Sequence, residues 1–316
     1  MLKHHVVSFS GGVGSWLAAR RVAERHGTER MTLLFTDTLI EDNDLYRFLI
    51  QGACDVLCVP YDGPLRATAE HLLADLPLPS RPLMDARRAM LLDARAVCAA
   101  HIPQLAWIAE GRTPWELFEE ERFLGNPRVD LCSRVLKREL ADSWLDAHHS
   151  RANTIIHVGI DWTEEHRFVG TDKKAGLRAR KAEAGWTYLA PLCEEPLLSK
   201  DAGFKLLEKL GIQPPRLYAF GAGHNNCSRS CVKQGQGEFA QLLQTQPDVY
   251  QIAEDEESRI RTRIGKDVAI LRDRRGGKTR PMTLTEFRGR VACGTYDKYE
   301  RGGCGCFVDE PGPDDA

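Results

Sequence analysis

The sequence predicts an α/β protein: a doubly wound, mostly parallel sheet with helices on both faces over residues 1–215, then a mainly helical, basic region over residues 216–316. Three observations carry this. Short apolar, β-branched runs recur with helix-forming segments between them, the alternation of a parallel sheet. A glycine-rich turn joins the first run to the first helix, and Pro214-Pro215 breaks the chain before its charge turns locally basic.

Val6 to Phe9 reads as a buried first strand. Ser10-Gly11-Gly12-Val13-Gly14-Ser15 follows and runs into a helix from about Val13. Glycines let the chain turn where a Cβ would clash, and a helix start points unpaired N–H groups and a positive dipole end into the turn, with Ser10 and Ser15 adding hydroxyls. This reads as a phosphate-cradle candidate, with a tight strand-to-helix turn that holds no ligand as the alternative, and it carries neither the Walker spacing with its lysine nor G-x-G-x-x-G. Met31 to Thr38 reads as a second strand, whose carboxyl end places Asp37 and Thr38 to touch a nucleotide or its metal. Asp37 reads equally as the cap of the next helix, Glu41 to Ile50. Further strands are expected at Val56–Val59, Leu105–Ile108 and Thr154–Ile160. Cys54, Cys58 and Cys98 fall on apolar stretches and are expected to be buried and inert.

Between the last two strands, Cys132-Ser133-Arg134-Val135-Leu136-Lys137-Arg138 puts a cysteine at a helix start, where the dipole lowers a thiol's pKa, with cations a turn later. After the final strand comes Gly159-Ile160-Asp161-Trp162-Thr163-Glu164-Glu165-His166-Arg167, and then the basic run Lys173, Lys174, Arg178, Arg180 and Lys181. That run reads either as a loop closing on a triphosphate or acceptor, or as a solvated helix face. A helix is expected over Leu197–Gly211, and Leu217-Tyr218-Ala219-Phe220-Gly221 leads to Cys227 and Cys231. Two further cysteines, Cys304 and Cys306, sit among glycines near the end.

As an ordered set these segments resemble the PP-loop ATP pyrophosphatases and the related PAPS reductase-like proteins, which share the adenine nucleotide alpha hydrolase-like fold. The S-G-G-x-x-S string is similar to the pyrophosphate loop, Cys132 to Lys137 to the C-[S/T]-x-x-L-K segment, and Gly159, Glu164 and Arg167 to G-x-R-x-x-E-S-x-R. Asp161 and Glu165 depart from that last pattern, Gly14 stands where many relatives have aspartate, and the close pair is C-x-x-x-C rather than C-x-x-C. The resemblance covers residues from Val6 to about Gly235. It implies ATP with Mg²⁺, Ser10, Gly11, Gly12, Gly14 and Ser15 holding pyrophosphate, and Thr38, Gly159 and Glu164 completing the nucleotide site. Lys137, Arg167 and Asp37 are the catalytic candidates.

Ten cysteines in a chain without a secretory pattern point away from disulfides and towards metal, cluster or nucleophile. Cys227, Cys231, Cys304 and Cys306, with Cys132 as an alternative or fifth sulfur, form a candidate thiolate set. The resemblance favours a four-iron four-sulfur cluster, with structural zinc as the alternative, since spacing alone does not separate them.

Composition is that of an ordinary globular protein, with a net charge of −2. No apolar run approaches the ~20 residues of a membrane span, so a cytoplasmic protein is expected. Charge is uneven: Arg259 to Arg290 holds eleven Lys/Arg against three acids, a segment that could meet a nucleic acid or form a solvated face.

The leading expectation is an enzyme that cleaves ATP between the α- and β-phosphates to adenylate an acceptor, for sulfur transfer to a nucleic acid, with a sulfur-donor protein as a further partner. The alternatives are an APS or PAPS reductase, although the reductases' C-terminal E-C-G-x-H tail is absent, and a non-catalytic nucleotide- and DNA-binding module.

Overall fold

The computed structural model describes residues 3–126, 129–172 and 174–302. The chain runs β1 (His4–Ser8), α1 (Val13–His26), β2 (Met31–Asp37), α2 (Asn43–Leu57), α3 (Gly63–Asp75), α4 (Met84–His101), β3 (Leu105–Ala109) and α5 (Pro114–Glu120). A helical stretch follows, α6 (Leu131–Ser133), a π-type segment Arg134–Glu139 and α7 (Leu140–His148), leading into β4 (Thr154–His157). Then come α8 (Glu165–Val169), the small hairpin β5 (Gly170–Thr171) and β6 (Lys174–Ala175), α9 (Leu177–Glu183), β7 (Thr187–Leu189) and α10 (Lys200–Leu210). The remainder is α11 (Arg216–Ala219), α12 (Gln236–Thr245), α13 (Pro247–Ile264), the hairpin β8 (Leu271–Asp273) and β9 (Arg280–Met282), and α14 (Leu284–Ala292).

The main sheet is five-stranded and wholly parallel, in the order β3-β2-β1-β4-β7. Side chains alternate across it, and the burial follows. Val7, Leu33 and Phe35 pack in one core with α1, α2, α4 and α10, while Val6, Leu34 and Ile156 pack in a second with α7 and α9. The chain winds from β1 outward to β3, then returns across β1 to β4. That reversal opens a crevice beyond the carboxyl ends of β1 and β4.

Two expected elements differ. Val56 and Leu57 are the last turn of α2, not a strand, because the apolar positions Leu45, Phe48, Leu49, Ala53 and Val56 keep helical spacing up to a left-handed C-cap at Cys58, φ 56°. Cys58 is therefore exposed, whereas Cys54 and Cys98 are buried and their thiols are pushed up to about 12 by desolvation. The fifth strand is instead β7, three residues long at the sheet edge.

The C-terminal helices do not pack alone. Val232, Phe239, Tyr250, Ile260 and Phe287 share a third core with Trp115, Phe118, Leu131, Cys132 and Leu136. This draws α5 and α6 towards α12–α14. Among the described residues no helix is long and apolar enough to cross a membrane.

Candidate functional site

A cleft lies in the crevice between β1 and β4, lined by Ser8, Ser10, Ser15, Val158, Gly159, Ile160, Glu164, Arg167, Lys137, His224 and Asn226. Its floor is the start of α1. Gly11 takes φ +74°, which favours glycine, and α1 begins with no side-chain cap and no acid in its first turn. Tyr218 Oη accepts from Val13 N at 3.3 Å, and the other N–H groups of the first turn are left for an anion. Ser10 Oγ donates to Ser15 Oγ at 3.3 Å and Ser15 Oγ to Gly12 O at 2.8 Å, so the two hydroxyls line one wall.

The glycine at position 14 has a steric reason. A Cβ there would lie 3.1 Å from the carbonyl oxygen of Gly159, and a Cβ on Gly159 would lie 2.7 Å from the Ser15 nitrogen. The start of α1 and the end of β4 therefore meet backbone to backbone. Beyond Gly159, Asp161 accepts from Thr163 N at 2.9 Å and caps a short turn that brings Glu164 to the cleft, where it pairs with Arg167 at 2.8 Å.

A second, narrow space with room for no more than about one water molecule adjoins the first and is lined by Cys132, Cys227 and Cys231, with Thr38, Ile40, Pro114, Trp115, Phe118, Ser133, Ser230, Val232 and again Lys137. Among the described residues Lys137 is the one that lines both spaces. Its ammonium lies 3.3 Å from Glu41 Oε1, and both side chains are buried. Glu41 also accepts from Thr38 Oγ1 at 3.0 Å and from the backbone N–H of Cys227. Fully buried Arg87 fixes this strap by donating to the carbonyls of Leu39 and Glu41.

The cysteine loop is built from unusual backbone. Cys227, Ser228 and Arg229 have φ of 49°, 45° and 63°, three successive non-glycine residues in the left-handed region. Arg229, fully buried, holds the turn from behind through Glu238, Gln241 and the carbonyl of Phe220. A second buried ion group, Lys233 and Arg138 around Asp130, lies beside it.

Most candidates meet here. Ser10, Gly11, Gly12, Gly14, Ser15, Gly159, Glu164, Arg167 and Lys137 build or line the cleft, and Cys132, Cys227 and Cys231 share the adjoining cavity. Thr38 lines the cysteine side, and Asp37 lines neither. Asp37 accepts from Tyr46 Oη at 2.8 Å, Trp107 Nε1 at 2.9 Å and Leu39 N at 2.7 Å, and burial raises its pKa. It ties β2 to β3 rather than capping α2, whose cap is Asp42.

The Cys132 thiol is pushed up to about 12, against the expected lowering at a helix start. Burial dominates, Cys227 adds to it, and Lys137 opposes it. Cys304, Cys306 and Lys173 lie outside the described residues. At its described end the chain lies antiparallel beside Gln234, with Gly235 N donating to Arg301 O at 3.0 Å, four residues past Cys231.

Among the described residues no three His, Cys, Asp or Glu converge closely enough to hold a metal ion. Cys132, Cys227 and Cys231 line one narrow space without converging on a common point.

Two residues gave no functional sequence signal, and a third gave only a weak one. Glu41 was read only as a helix start, Asn225 donates to Gly11 O at 2.8 Å, and Tyr218 Oη accepts from Val13 N at 3.3 Å. Tyr218 stood in a quoted motif, and its order after Pro214-Pro215 was the available hint.

The arginine segment is largely neutralised. Arg259 pairs with Glu119 and Glu256, Arg288 with Glu254, Arg274 with Glu300 and Arg261 with Asp267. Four of these five acids lie outside the segment counted in the sequence.

No protein-family model and no curated protein matches this sequence.

Proposed function

We propose that the chain is an ATP pyrophosphatase-type enzyme of the adenine nucleotide alpha hydrolase-like, doubly wound kind, which adenylates an acceptor beside a thiol centre for sulfur transfer to a nucleic acid. The observation that carries this reading is Lys137, which lines both the serine- and glycine-walled cleft and the three-cysteine cavity.

The start of α1, with Ser10 and Ser15, receives the β- and γ-phosphates that leave as pyrophosphate. N–H donors fixed before the reaction need no reorganisation as charge develops on the leaving group. Arg167 and Lys137 offset that charge, and Glu164 orients Arg167 by their ion pair. Mg²⁺ bound with the triphosphate supplies further charge neutralisation, and Glu164 is the carboxylate that lines the cleft to receive it. Cys132, Cys227 and Cys231, with Cys304 and Cys306, are the residues that would hold a four-iron four-sulfur cluster, or zinc. An iron–sulfur cluster held there would supply sulfur or electron chemistry next to the activated acceptor, whereas zinc would be structural or would activate a thiolate. The protein is placed in the cytoplasm.

Pyrophosphate release from ATP tests the reading. Wild-type protein is expected to release it, and Ser10→Ala with Ser15→Ala to lose at least tenfold, on the order of one hydrogen bond to a charged group each. Unchanged release would sink the assignment. The proximity of thiols to the cleft also favours a second reading, a sulfonucleotide reductase, which sulfite release from PAPS or APS with thioredoxin would reveal.

A further inference from the structure

Among the described residues the titratable side chains that line the serine- and glycine-walled cleft are Lys137, Glu164, Arg167 and His224. The first three are already engaged. Lys137 pairs with Glu41 at 3.3 Å and Arg167 with Glu164 at 2.8 Å, so each cation stands against its own carboxylate. His224 has no hydrogen-bond or ion-pair partner among the described residues.

A phosphate chain brings several negative charges into this space. Two neutral ion pairs can turn towards it without adding net positive charge, and the start of α1 supplies only about half a charge. An imidazole that takes up a proton supplies a whole one, and it is the side chain whose charge changes between about pH 5 and pH 8.

The backbone holds His224 in place from both sides. Lys200 Nζ, from α10, donates to Gly223 O at 2.8 Å, and the buried Asn225 Nδ2 donates to Gly11 O at 2.8 Å. The second bond ties this loop to the glycine turn that opens α1. At the root of the loop, Ala222 N donates to Leu217 O at 3.0 Å. Behind it, Arg229 donates to Phe220 O at 3.2 Å and pairs with Glu238. The half-buried ring of His224 therefore sits on a fixed backbone with Asn226 beside it on the same wall.

We infer that His224 contacts a phosphate chain in the cleft as an imidazolium, taking its proton from solvent as the ligand binds. The inference rests on the phosphate-binding reading of the cleft proposed above. It adds a catalytic residue to Lys137 and Arg167, one that supplies counter-charge to the pyrophosphate as it leaves and makes that supply depend on pH.

The experiment is calorimetric titration of the full chain with inorganic pyrophosphate in the presence of Mg²⁺, in wild type, His224→Asn and His224→Arg. Ionisation of the ligand is common to all three, so differences between them belong to position 224. At about pH 6 wild type should bind on the order of tenfold more tightly than His224→Asn, the worth of one hydrogen bond to a charged group. That advantage should shrink to within about twofold by about pH 9, where the imidazole is no longer protonated. His224→Arg should keep its advantage over His224→Asn at both pH values, because a guanidinium stays charged. In paired buffers of different ionisation enthalpy near pH 7.5, wild type should take up more protons per pyrophosphate bound than His224→Asn.

An advantage over His224→Asn that is absent, or that stays constant with pH, would overturn the role of His224 and leave the phosphate reading of the cleft standing. His224→Arg that binds no better than His224→Asn would overturn the role equally. Wild type that binds no pyrophosphate at any pH would remove the phosphate reading itself, and this inference with it.

Discussion

The serine- and glycine-walled cleft and the cysteine cavity share Lys137, yet they are built in opposite ways. The cleft is made where two neighbouring strands end, from backbone: glycines at 11, 14 and 159, one helix start and two serine hydroxyls. The cysteine cavity is made from side chains brought together from segments around positions 40, 115, 132 and 230, and it is walled by buried ion pairs. A backbone site is set by topology and tolerates little added volume. A side-chain site is set by mutual charge satisfaction, and removing one partner exposes the rest to an apolar interior.

That contrast predicts the largest single effect at Glu41. Glu41→Ala removes the carboxylate that faces buried Lys137 and accepts from Cys227 N, so unfolding in urea should show a loss of about 3–5 kcal/mol. Lys137→Met added to Glu41→Ala should recover most of it, because an apolar chain of similar length needs no counter-charge. A loss below about 1 kcal/mol for Glu41→Ala would mean that the two regions do not differ in this way.

The next effect belongs to the seam beneath the cleft. His5 Nδ1 and His157 Nε2 lie 2.9 Å apart across β1 and β4, and His26 from the end of α1 stacks on His5 at 4.0 Å. Burial pushes His5 down to about 4 and His157 to about 3, with the neighbouring histidines adding to it and Arg25 acting on His157. Both are neutral in the fold, whereas the unfolded chain takes up protons near pH 6.5. Their contribution is present above pH 6.5 and is lost as pH falls towards 4, because the unfolded state then binds more protons. The pair should cost on the order of 2–4 kcal/mol over that window, the two sites titrating together. Urea midpoints at pH 7 and pH 4.5 test this. A His157→Leu variant with the same acid loss as wild type would refute it.

How much of each region was legible follows from the same difference. Ser10 to Ser15, Gly159, Glu164 and Arg167 could be read because strand-end turns are local in sequence, and the parallel sheet puts such ends side by side. Cys132, Cys227 and Cys231 could be nominated by their chemistry, while the cavity joining them needed the packing of α5 and α6 on α12. Asp37 misled because a carboxylate at a strand end looks turned to a ligand. Its partner Trp107 lies seventy residues on and carries no local sign. Glu41 was invisible for the same reason, since Lys137 and Cys227 reach it from 96 and 186 residues away. The arginine segment was overread in charge because the count was local and the neutralising acids, such as Glu119, Glu254 and Glu300, were not. The turn at Val56 was misassigned because a helix's last apolar pair and a short strand look alike.

The smallest effect tests a contact that the later chain makes with the start of α1. Tyr218 Oη accepts from Val13 N at 3.3 Å, a long bond, and sits where a Cβ on Gly12 would come within 3.2 Å. Lys200 lies over its ring and Phe204 meets it edge-on at 5.1 Å, so the ring is held by α10 whether or not the hydroxyl bonds. Tyr218→Phe should therefore cost stability about 0.5–1.5 kcal/mol, one hydrogen bond's worth. Its effect on the cleft has the opposite sign. With the hydroxyl gone, Val13 N–H joins the donors at the start of α1, so ATP should bind as tightly as in wild type or up to several-fold tighter in calorimetry. Weaker ATP binding in Tyr218→Phe would show that the hydroxyl itself contacts the nucleotide. The hydroxyl would then join His224 and Asn226 among the groups that the chain beyond Pro214-Pro215 gives the cleft.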